Sequence, residues 1–501
     1  MNIKQLLFIF FGAAVLASCS KLEEKYRGGV EAVAESGVNV ADVLQGAYNA
    51  LNNPFQDQSR FWAASQHTTD ETIGPTRGPD WDDNGVWRVL HSHNWDADHL
   101  FLRDTYRELL QAQYAASNVL ALNPSAQQAA EAKFIRALSM WCILDGWDQV
   151  PVRKDLDKVT VLPEVLKGKA AYDFIMKDLT EAIAGLPNGP AIKANKNAAR
   201  ALMMKLYLNK GVYAGSRKTP TFDAADMNQV ISLADQIIGS GYALDDNYFD
   251  AFGPDNSAKS KEMIYALENT NGLRGGNNQS RWYCTLHYNQ RPSGWNGFTT
   301  VAETYDRFEA ADKRRTADYP GVTNVSGLKV GMLFGQQFDQ NGNALKDRKN
   351  NNLSYTKTVK LKEIGNDLEI TGIRVVKYPP DYAKEFPAEN EYVIFRFADV
   401  LLMKAEALVR TGKAGDGLTI VNSIRTKRGA TPFSSLTLDN LLDERSRELY
   451  WEGWRRNDLV RFGKFLGAWT EKPASGDERL LFAIPSEQLA VNPNLSQNPG
   501  Y

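Results

Sequence analysis

Hydrophobic side chains recur with the 3.6-residue period of an α-helix over most of this chain. In residues 126–147 the apolar positions fall on one stripe, formed by Phe134, Ala137, Leu138, Trp141 and Leu144. The same periodicity predicts helices over 98–122, 126–147, 170–186, 195–213, 226–240, 397–411, 415–428 and 438–454. Paired helices of this length, joined by short turns, are typical of stacked tetratricopeptide-like hairpins.

Two stretches do not follow the helical pattern. Residues 53–97 are rich in Gly, Pro, Asp and Trp, and residues 243–395 place short strand-like runs between long polar loops. Long irregular stretches in a compact protein usually serve a function. We therefore predict a mainly α fold, with a helical scaffold over about 39–242 and 396–501. An irregular, loop-rich lobe with short strands, residues 243–395 together with the loop 53–97, would carry the site.

The N-terminus has the pattern of an export signal. Lys4 precedes an apolar run over 6–16, which is too short to span a bilayer. The sequence LASC at 16–19 matches a bacterial lipobox, which predicts a signal peptide over 1–18 and an acylated Cys19. An ordinary secretory signal is the alternative. Residues 19–38 would form a tether, whose charged start at 20–25 resembles a surface-export signal.

Composition argues against a nucleic-acid-binding protein and against a cysteine metal site. The formal net charge is −2, so the protein has no overall positive field that would attract nucleic acid. Cys19, Cys142 and Cys284 are too widely spaced for a metal cage. Cys142 lies in a helical apolar pattern, which favours a buried thiol, although a Cys142–Cys284 bridge is an open alternative.

Five passages resemble the SusD/RagB family of glycan-binding lipoproteins. They are AKFIRALSMW at 132–141 followed by VP at 150–151, RFADVLLMKAEAL at 396–408, VNSIRTKR at 421–428, ERSRELYWEGWRRNDLVR at 444–461, and the chain end with IP at 484–485, NP at 492–493 and QNPGY at 497–501. They occur in the family's order and cover the middle and both ends of the chain when the lipobox is included.

The resemblance implies four tetratricopeptide-like helix pairs with a more irregular lobe packed against them. It also implies a non-catalytic protein without a cofactor, anchored through Cys19 in the outer membrane and facing the cell surface. Such a protein binds a glycan and passes it to a SusC-like TonB-dependent transporter. The RagB branch of the family, which handles peptides, is the first alternative.

Three carboxylates in the C-terminal third are spaced for one helix face. Glu444, Glu448 and Glu452 follow i, i+4 spacing. A surface glycosidase, the second alternative, would use two carboxylates that face each other across a cleft. Arginines are interleaved with these glutamates, which favours an ion-pair network between helices; they are Arg445, Arg447, Arg455, Arg456 and Arg461.

No other enzyme signature is present in the sequence. It contains no Gly-x-Ser-x-Gly elbow, Walker loop or dinucleotide fingerprint. His91, His93 and His99 lie close together, but no cysteine or further histidine stands at standard ligand spacing. We predict no metal site, although acidic loop residues leave a structural Ca²⁺ open.

Tryptophans in the irregular stretches are the best binding candidates. Sugar rings present apolar C–H faces that pack on flat, rigid aromatic rings, while their hydroxyls need planar polar partners. Trp81 is the first choice, with Trp295 next. Trp282 and Cys284 would point the same way in an extended segment. The predicted ligand-binding residues are Asp70, Trp81, Trp87, Trp282, Cys284, Tyr288, Trp295, Asn296 and Arg374.

Charge narrows the expected ligand. Residues 62–99 contain seven acidic and two basic side chains, which would repel a sulfated or uronate-rich polymer. This favours a neutral glycan, such as a fructan, a glucan or a xylan-type chain. Three arginines near Trp282 and Trp295 favour an acidic ligand instead; they are Arg274, Arg281 and Arg291.

Overall fold

Helices that pack against their neighbours in sequence dominate the structure, a computed structural model that describes residues 38–153, 160–270, 277–365 and 368–501. The long helices are Val40–Asn49, Leu100–Ala121, Ala126–Trp147, Gly168–Gly185, Lys196–Tyr213, Ala224–Ile238, Phe397–Arg410, Ala414–Lys427 and Leu438–Leu449. From Leu100 to Ile238 each helix packs on the next, and the last of them packs on Phe397–Arg410. The predicted mainly α fold is confirmed.

Shorter elements make up the rest of the described chain. The short α-helices are Asn52–Gln56, Phe61–Gln66, Val86–His91, Asn256–Lys259, Ser280–Tyr283, Ala302–Asp306, Thr323–Ser326, Arg455–Arg461 and Ser486–Val491, and the 3₁₀ helices are Asp83–Gly85, Tyr248–Ala251 and Asp477–Leu480. The residues Asn39–Tyr501 form one compact unit.

Strands are short and form five small sheets. Antiparallel pairs join Gln149–Val152 with Glu164–Lys167, Met263–Leu267 with Tyr392–Arg396, and Gly335–Gln336 with Ser354–Tyr355. Val330–Leu333 lies between Thr316–Ala317 and Arg374–Val376 in a three-stranded antiparallel sheet, and Thr76–Arg77 pairs in parallel with Lys362–Glu363. The short strand-like runs predicted in the irregular lobe are confirmed at Met263–Leu267, Arg374–Val376 and Tyr392–Arg396.

Local sequence explains where the helices begin and how closely they pack. Ser125 and Gln128 form a reciprocal capping box at the start of Ala126–Trp147. Gly185, at the end of the next helix, lies so close to it that an added Cβ would be 2.8 Å from the carbonyl oxygen of Ala126. A glycine there allows the two helices to approach, as expected for stacked hairpins.

The predicted final helix, 438–454, is too long. The helix ends at Leu449, Trp451 adopts a left-handed backbone with φ of 60°, and a separate helix spans Arg455–Arg461. The turn places the Trp451 ring in the core, where it packs at 5.3 Å on the ring of Trp62. The apolar period of the sequence continues through this turn because Trp451 and Trp454 are buried, although neither lies within a helix.

The stretch 53–97 is largely core and not an open loop. Trp62, Trp87 and Trp95 are buried among other aromatic rings. The longest exposed or half-exposed run within it is residues 78–84. Glycines and prolines there break the helical period without bringing the chain to the surface.

A buried ion-pair network joins the irregular lobe to the C-terminal helices. Glu448 lies at its centre and is fully buried. Its carboxylate accepts hydrogen bonds from Arg314 (2.9 Å), Arg396 (2.7 Å) and Arg428 (2.9 Å). Burial alone would raise the pKa of Glu448, but the three guanidinium groups outweigh burial and lower it, so the carboxylate stays ionised.

The network predicted from the glutamates is confirmed, but with mostly different partners. Glu444 pairs with Arg314 at 2.7 Å and with Arg425 at 2.6 Å. Glu452, beyond the helix end, pairs with Arg396 at 2.8 Å. Of the interleaved arginines only Arg447 reaches one of these glutamates; the others pair with Asp70, Glu71, Asp145, Asp399, Glu406 and Asp458.

Replacing the central carboxylate should destabilise the fold. We expect Glu448→Gln to lower the free energy of unfolding by about 3–5 kcal/mol, because it leaves buried guanidinium groups without their counter-charge. Chemical denaturation at neutral pH measures this change. The control Asp173→Asn removes a carboxylate from an exposed pair with Lys169 and should cost less than about 0.5 kcal/mol. Equal effects of the two variants would contradict the structural role of the network.

Candidate functional site

The two predicted tryptophan segments lie side by side. An antiparallel bridge pairs Ile73 with Thr299, and the Arg77 side chain donates to the Gly297 carbonyl. This pairing brings the indole of Trp81 to the backbone of Trp295, where its Nε1 donates to the Trp295 carbonyl oxygen at 2.8 Å. The expectation that the two segments share one surface therefore agrees with the structure.

An open groove runs along this surface. Its volume is about 530 Å³, and it is lined by Gln58, Ser59, Asp80, Trp81, Asp83, Trp87, Phe101, Tyr288 and Trp295. We call it the aromatic groove. Trp295 is 49% exposed, so a large flat ring faces solvent at its edge. Trp81 and Tyr288 are half-buried beside it.

The aromatic rings of the groove are set at an angle to one another. The Trp295 ring stacks on Tyr283, with centroids 5.8 Å apart and planes 18° apart. Trp81 lies 6.4 Å from Trp295 and is tilted by 41°. Together the rings form an angled surface, not a flat one. Aromatic faces of this kind pack against apolar C–H groups.

Polar groups border the aromatic surface at Tyr288. The Tyr288 hydroxyl donates to Asp80 at 3.2 Å, and the Arg348 guanidinium lies 3.9 Å from the centroid of the Tyr288 ring. Arg348 in turn donates to Glu369 at 2.7 Å. Partial burial, and then the nearby Asp80 charge, raise the pKa of Tyr288, so its hydroxyl stays protonated and can donate.

Trp81 is held from below by packing and by its backbone. Its ring lies 4.9 Å from Phe298, and a Cβ at Gly297 would fall 2.4 Å from the indole, so the ring rests directly on that glycine. Trp81, Asp83 and Asn84 all have positive φ angles, of 59°, 40° and 55°. Such conformations are costly for residues other than glycine and cluster at functional sites.

The structure corrects the expectation for Trp282 and Cys284. They do not lie on an extended segment, because Ser280–Tyr283 forms a helical turn closed by a bond from the Cys284 amide to the Ser280 carbonyl. Both side chains are fully buried, so neither reaches a ligand in this structure. Tyr283, between them, is the residue that packs beneath Trp295.

Asp70, Trp87, Asn296 and Arg374 are likewise buried and support the site from within. Trp87 is buried beneath Trp81, with ring centroids 6.1 Å apart. Asn296 accepts a hydrogen bond from Arg374 at 2.7 Å. Because these polar side chains are buried inside the protein, they are positioned to hold the aromatic residues and not to meet a ligand.

Asp70 is also committed to an internal ion pair. Its carboxylate accepts hydrogen bonds from Arg455 at 2.8 Å and from Arg307. Burial alone would raise the pKa of Asp70, but the two arginines outweigh it and hold the pKa well below its usual range.

The groove also contains residues that sequence reasoning missed. Gln58 and Ser59 follow a short buried helix, and Phe101 belongs to the first turn of Leu100–Ala121. Arg348 lies in a polar run that gave no sign of contact with Tyr288. No local pattern marks these four residues, because they come together only through tertiary packing.

The cysteines and histidines serve the interior of the protein. Cys142 and Cys284 are free, buried thiols, as predicted for Cys142. Both ring nitrogens of His91 lie within hydrogen-bond distance of backbone carbonyl oxygens, those of Thr72 and Thr470. Across the residues that the structure describes, no three potential His, Cys, Asp or Glu ligands come together around a metal position. Cys19 and Arg274 lie outside the described residues.

Comparisons with known proteins give a consistent result. A family model described as the SusD family matches residues 261–501. The starch-binding protein SusD of Bacteroides thetaiotaomicron is 28% identical, over 75% of this chain and 73% of that protein. The residues that the family model matches include the C-terminal passages that form the buried ion-pair network.

Solved structures share the fold. A SusD superfamily protein from Parabacteroides distasonis has a TM-score of 0.71 at 19% identity, over 93% of this chain and all of that one. The surface glycan-binding protein A from Bacteroides thetaiotaomicron, in complex with laminarihexaose, has a TM-score of 0.68 at 17% identity, over 92% and 98% of the two chains.

The exposed and half-buried tryptophans of the groove should differ in their effect on stability. Trp295→Ala should lower the free energy of unfolding by less than about 1 kcal/mol, because about half of the residue faces solvent. Trp81→Ala should lower it by about 2–3 kcal/mol, since it removes a ring packed on Phe298 and Trp87. Chemical denaturation distinguishes the two. A Trp81→Ala protein of wild-type stability would show that the ring does not pack as the structure has it.

Proposed function

The chain belongs to the SusD/RagB family, and on that premise we propose that it binds a glycan at the cell surface through the aromatic groove. The observation that supports this most directly is the open Trp295 ring, backed by Tyr283 and joined to Trp81. A rigid aromatic ring at the edge of an open groove provides a stacking face for a sugar.

The polar border of the groove supplies partners for sugar hydroxyls. Asp80 and Asp83 are exposed carboxylates, and Gln58 adds an amide. Carboxylate and amide groups bind vicinal hydroxyls through paired hydrogen bonds. The combination of stacking rings and short polar side chains favours a carbohydrate over an extended peptide, which needs backbone-pairing edges or deep apolar pockets.

We infer that the ligand is neutral and that its chain bends. Asp80 and Asp83 carry no ion-pair partner within the described residues, and a polyanion would meet both charges on entering the groove. The tilt of 41° between Trp81 and Trp295 suits successive sugar rings that turn relative to each other. A curved glucan fits this surface better than a flat ribbon.

We propose that binding occurs without catalysis. The glycosidase alternative needs accessible carboxylates, whereas Glu444 and Glu448 are fully buried in ion pairs with arginines. Asp80 and Asp83, the carboxylates of the groove, lie on one short segment and not on opposite walls of a cleft.

The proposal extends to anchoring and delivery. Cys19, which lies outside the described residues, would carry a lipid that holds the protein on the outer membrane. In the described part of the chain, no helix has the length and apolar character that crossing a membrane requires. From the membrane surface the protein would pass its glycan to a SusC-like TonB-dependent transporter. Proximity to the transporter would compensate for weak binding by an open groove.

Affinity gel electrophoresis with soluble polysaccharides tests the binding site. We expect retardation in gels that contain one neutral glucan and none in gels with a sulfated polymer. Trp295→Ala should abolish the retardation, because it removes the stacking face. The control Phe338→Ala removes a similarly exposed ring, 46% exposed, that lies outside the groove and should migrate like the wild type.

Three outcomes would contradict the proposal. Retention that survives Trp295→Ala would place the glycan elsewhere. Binding of a peptide library, with no binding of glycans in calorimetry, would favour the RagB-like alternative. Release of reducing ends on prolonged incubation would show catalysis.

A further inference from the structure

A second exposed aromatic ring lies in the irregular lobe, outside the lining of the aromatic groove. Phe334 follows directly after the strand Val330–Leu333, whose residues are all buried, yet its own ring is 45% exposed. The ring lies 5.5 Å from that of Tyr305, with the planes 50° apart. A single exposed phenylalanine is ordinary. The cations that surround this phenylalanine are unusual.

Two cations lie against these rings. The Lys357 ammonium lies 5.2 Å from the Tyr305 centroid and 5.7 Å from the Phe334 centroid. The Arg315 guanidinium lies 5.3 Å from the Tyr305 centroid. These distances fall within the range of cation–π attraction, which holds the cations beside the rings. We call Tyr305, Arg315, Phe334 and Lys357 the cationic aromatic patch.

The patch is assembled from four separate elements. Tyr305 belongs to the helix Ala302–Asp306, and Phe334 and Arg315 adjoin neighbouring strands of the three-stranded sheet. Lys357 follows the strand Ser354–Tyr355. The Met332 amide donates a hydrogen bond to the Arg315 carbonyl oxygen at 2.6 Å. Because Met332 is two residues before Phe334, this bond holds the backbone of Arg315 close to that of Phe334. The arrangement therefore depends on backbone pairing and not on flexible side chains alone.

The charges of the patch do not balance internally. Lys357 pairs with Asp306 at 2.5 Å. Arg315 donates to the Ala310 carbonyl oxygen at 3.3 Å and makes no ion pair with any carboxylate of the described chain. A guanidinium group presents a planar fork that matches a carboxylate. A ligand carboxylate would therefore complete the interactions of Arg315.

We propose that the cationic aromatic patch binds a uronic acid residue of a glycan. The C–H face of the sugar would stack on Phe334, and its carboxylate would pair with Arg315 beside Lys357. The ligand class is opposite in charge to the neutral chain proposed for the aromatic groove. The two sites would let one protein hold a glycan with neutral and acidic parts. Binding at the patch does not require binding at the aromatic groove.

Titration calorimetry with trigalacturonate, supported by saturation-transfer NMR, tests the patch in the purified full chain. We expect Arg315→Gln and Phe334→Ala each to weaken binding at least about tenfold, because each removes one of the two recognition elements. Phe334→Tyr, which keeps a ring, should retain binding. Phe338→Ala and Trp295→Ala should bind like the wild type. Melting temperatures identify any variant that has unfolded.

The proposal is overturned if the wild type does not bind trigalacturonate at millimolar concentration. It is also overturned if Trp295→Ala removes the binding, which would assign it to the aromatic groove. Equal weakening by Phe338→Ala would indicate general attraction to the lobe. An acidic hexapeptide that binds as tightly as trigalacturonate would show that the patch selects charge and not a sugar.

Discussion

The site depends on a clamp between the C-terminal segment 444–461 and residues 62–71. Arg455 holds the carboxylate of Asp70, Ser446 donates to Glu71 at 2.7 Å, and the Trp62 indole donates to the Trp451 carbonyl at 3.1 Å. These contacts are buried, where a charge without its partner is costly. The chain leaves the clamp at Thr72 and reaches Trp81 nine residues later, so the clamp determines where the exposed segment begins. The passage 444–461 is therefore structural: it positions the segment that carries the proposed site, and none of its residues lines the aromatic groove.

The periodic parts of the chain were predictable from sequence, and the parts set by tertiary contacts were not. The helix Ala126–Trp147 matches its prediction at both ends, because its stripe is long and Ser125 caps it. The last helix was predicted too long, because Trp451 and Trp454 kept an apolar period through a turn. Trp81 and Trp295, the first two candidates from the sequence, are half-buried and exposed respectively. Trp282 is buried by the helical turn Ser280–Tyr283. Four residues are too few to show a helical period, so the sequence did not predict this turn.

Polar residues of the site were harder to predict than aromatic ones. Asp70 and Arg374 stand near the tryptophans in sequence or in pairing, but both are buried: Asp70 pairs with arginines, and Arg374 donates hydrogen bonds to Asn296 and to backbone carbonyl oxygens. Arg348 stands 60 positions after Tyr288 in the chain, yet it lies against the ring. A polar side chain in a loop can face a ligand or a buried partner, and only the packed structure distinguishes the two. The angled rings of the groove give the proposed preference for a bent, neutral chain, while the cationic aromatic patch gives the opposite preference in charge.

A crystal structure with a bound neutral glucan oligosaccharide would show whether the aromatic groove is the glycan-binding site. We expect a sugar ring stacked on Trp295 in the aromatic groove, with hydroxyls bonded to Asp80 or Asp83 and the chain turning toward Trp81. Density for the sugar at a site away from Trp295, with the aromatic groove empty at saturating ligand, would contradict it.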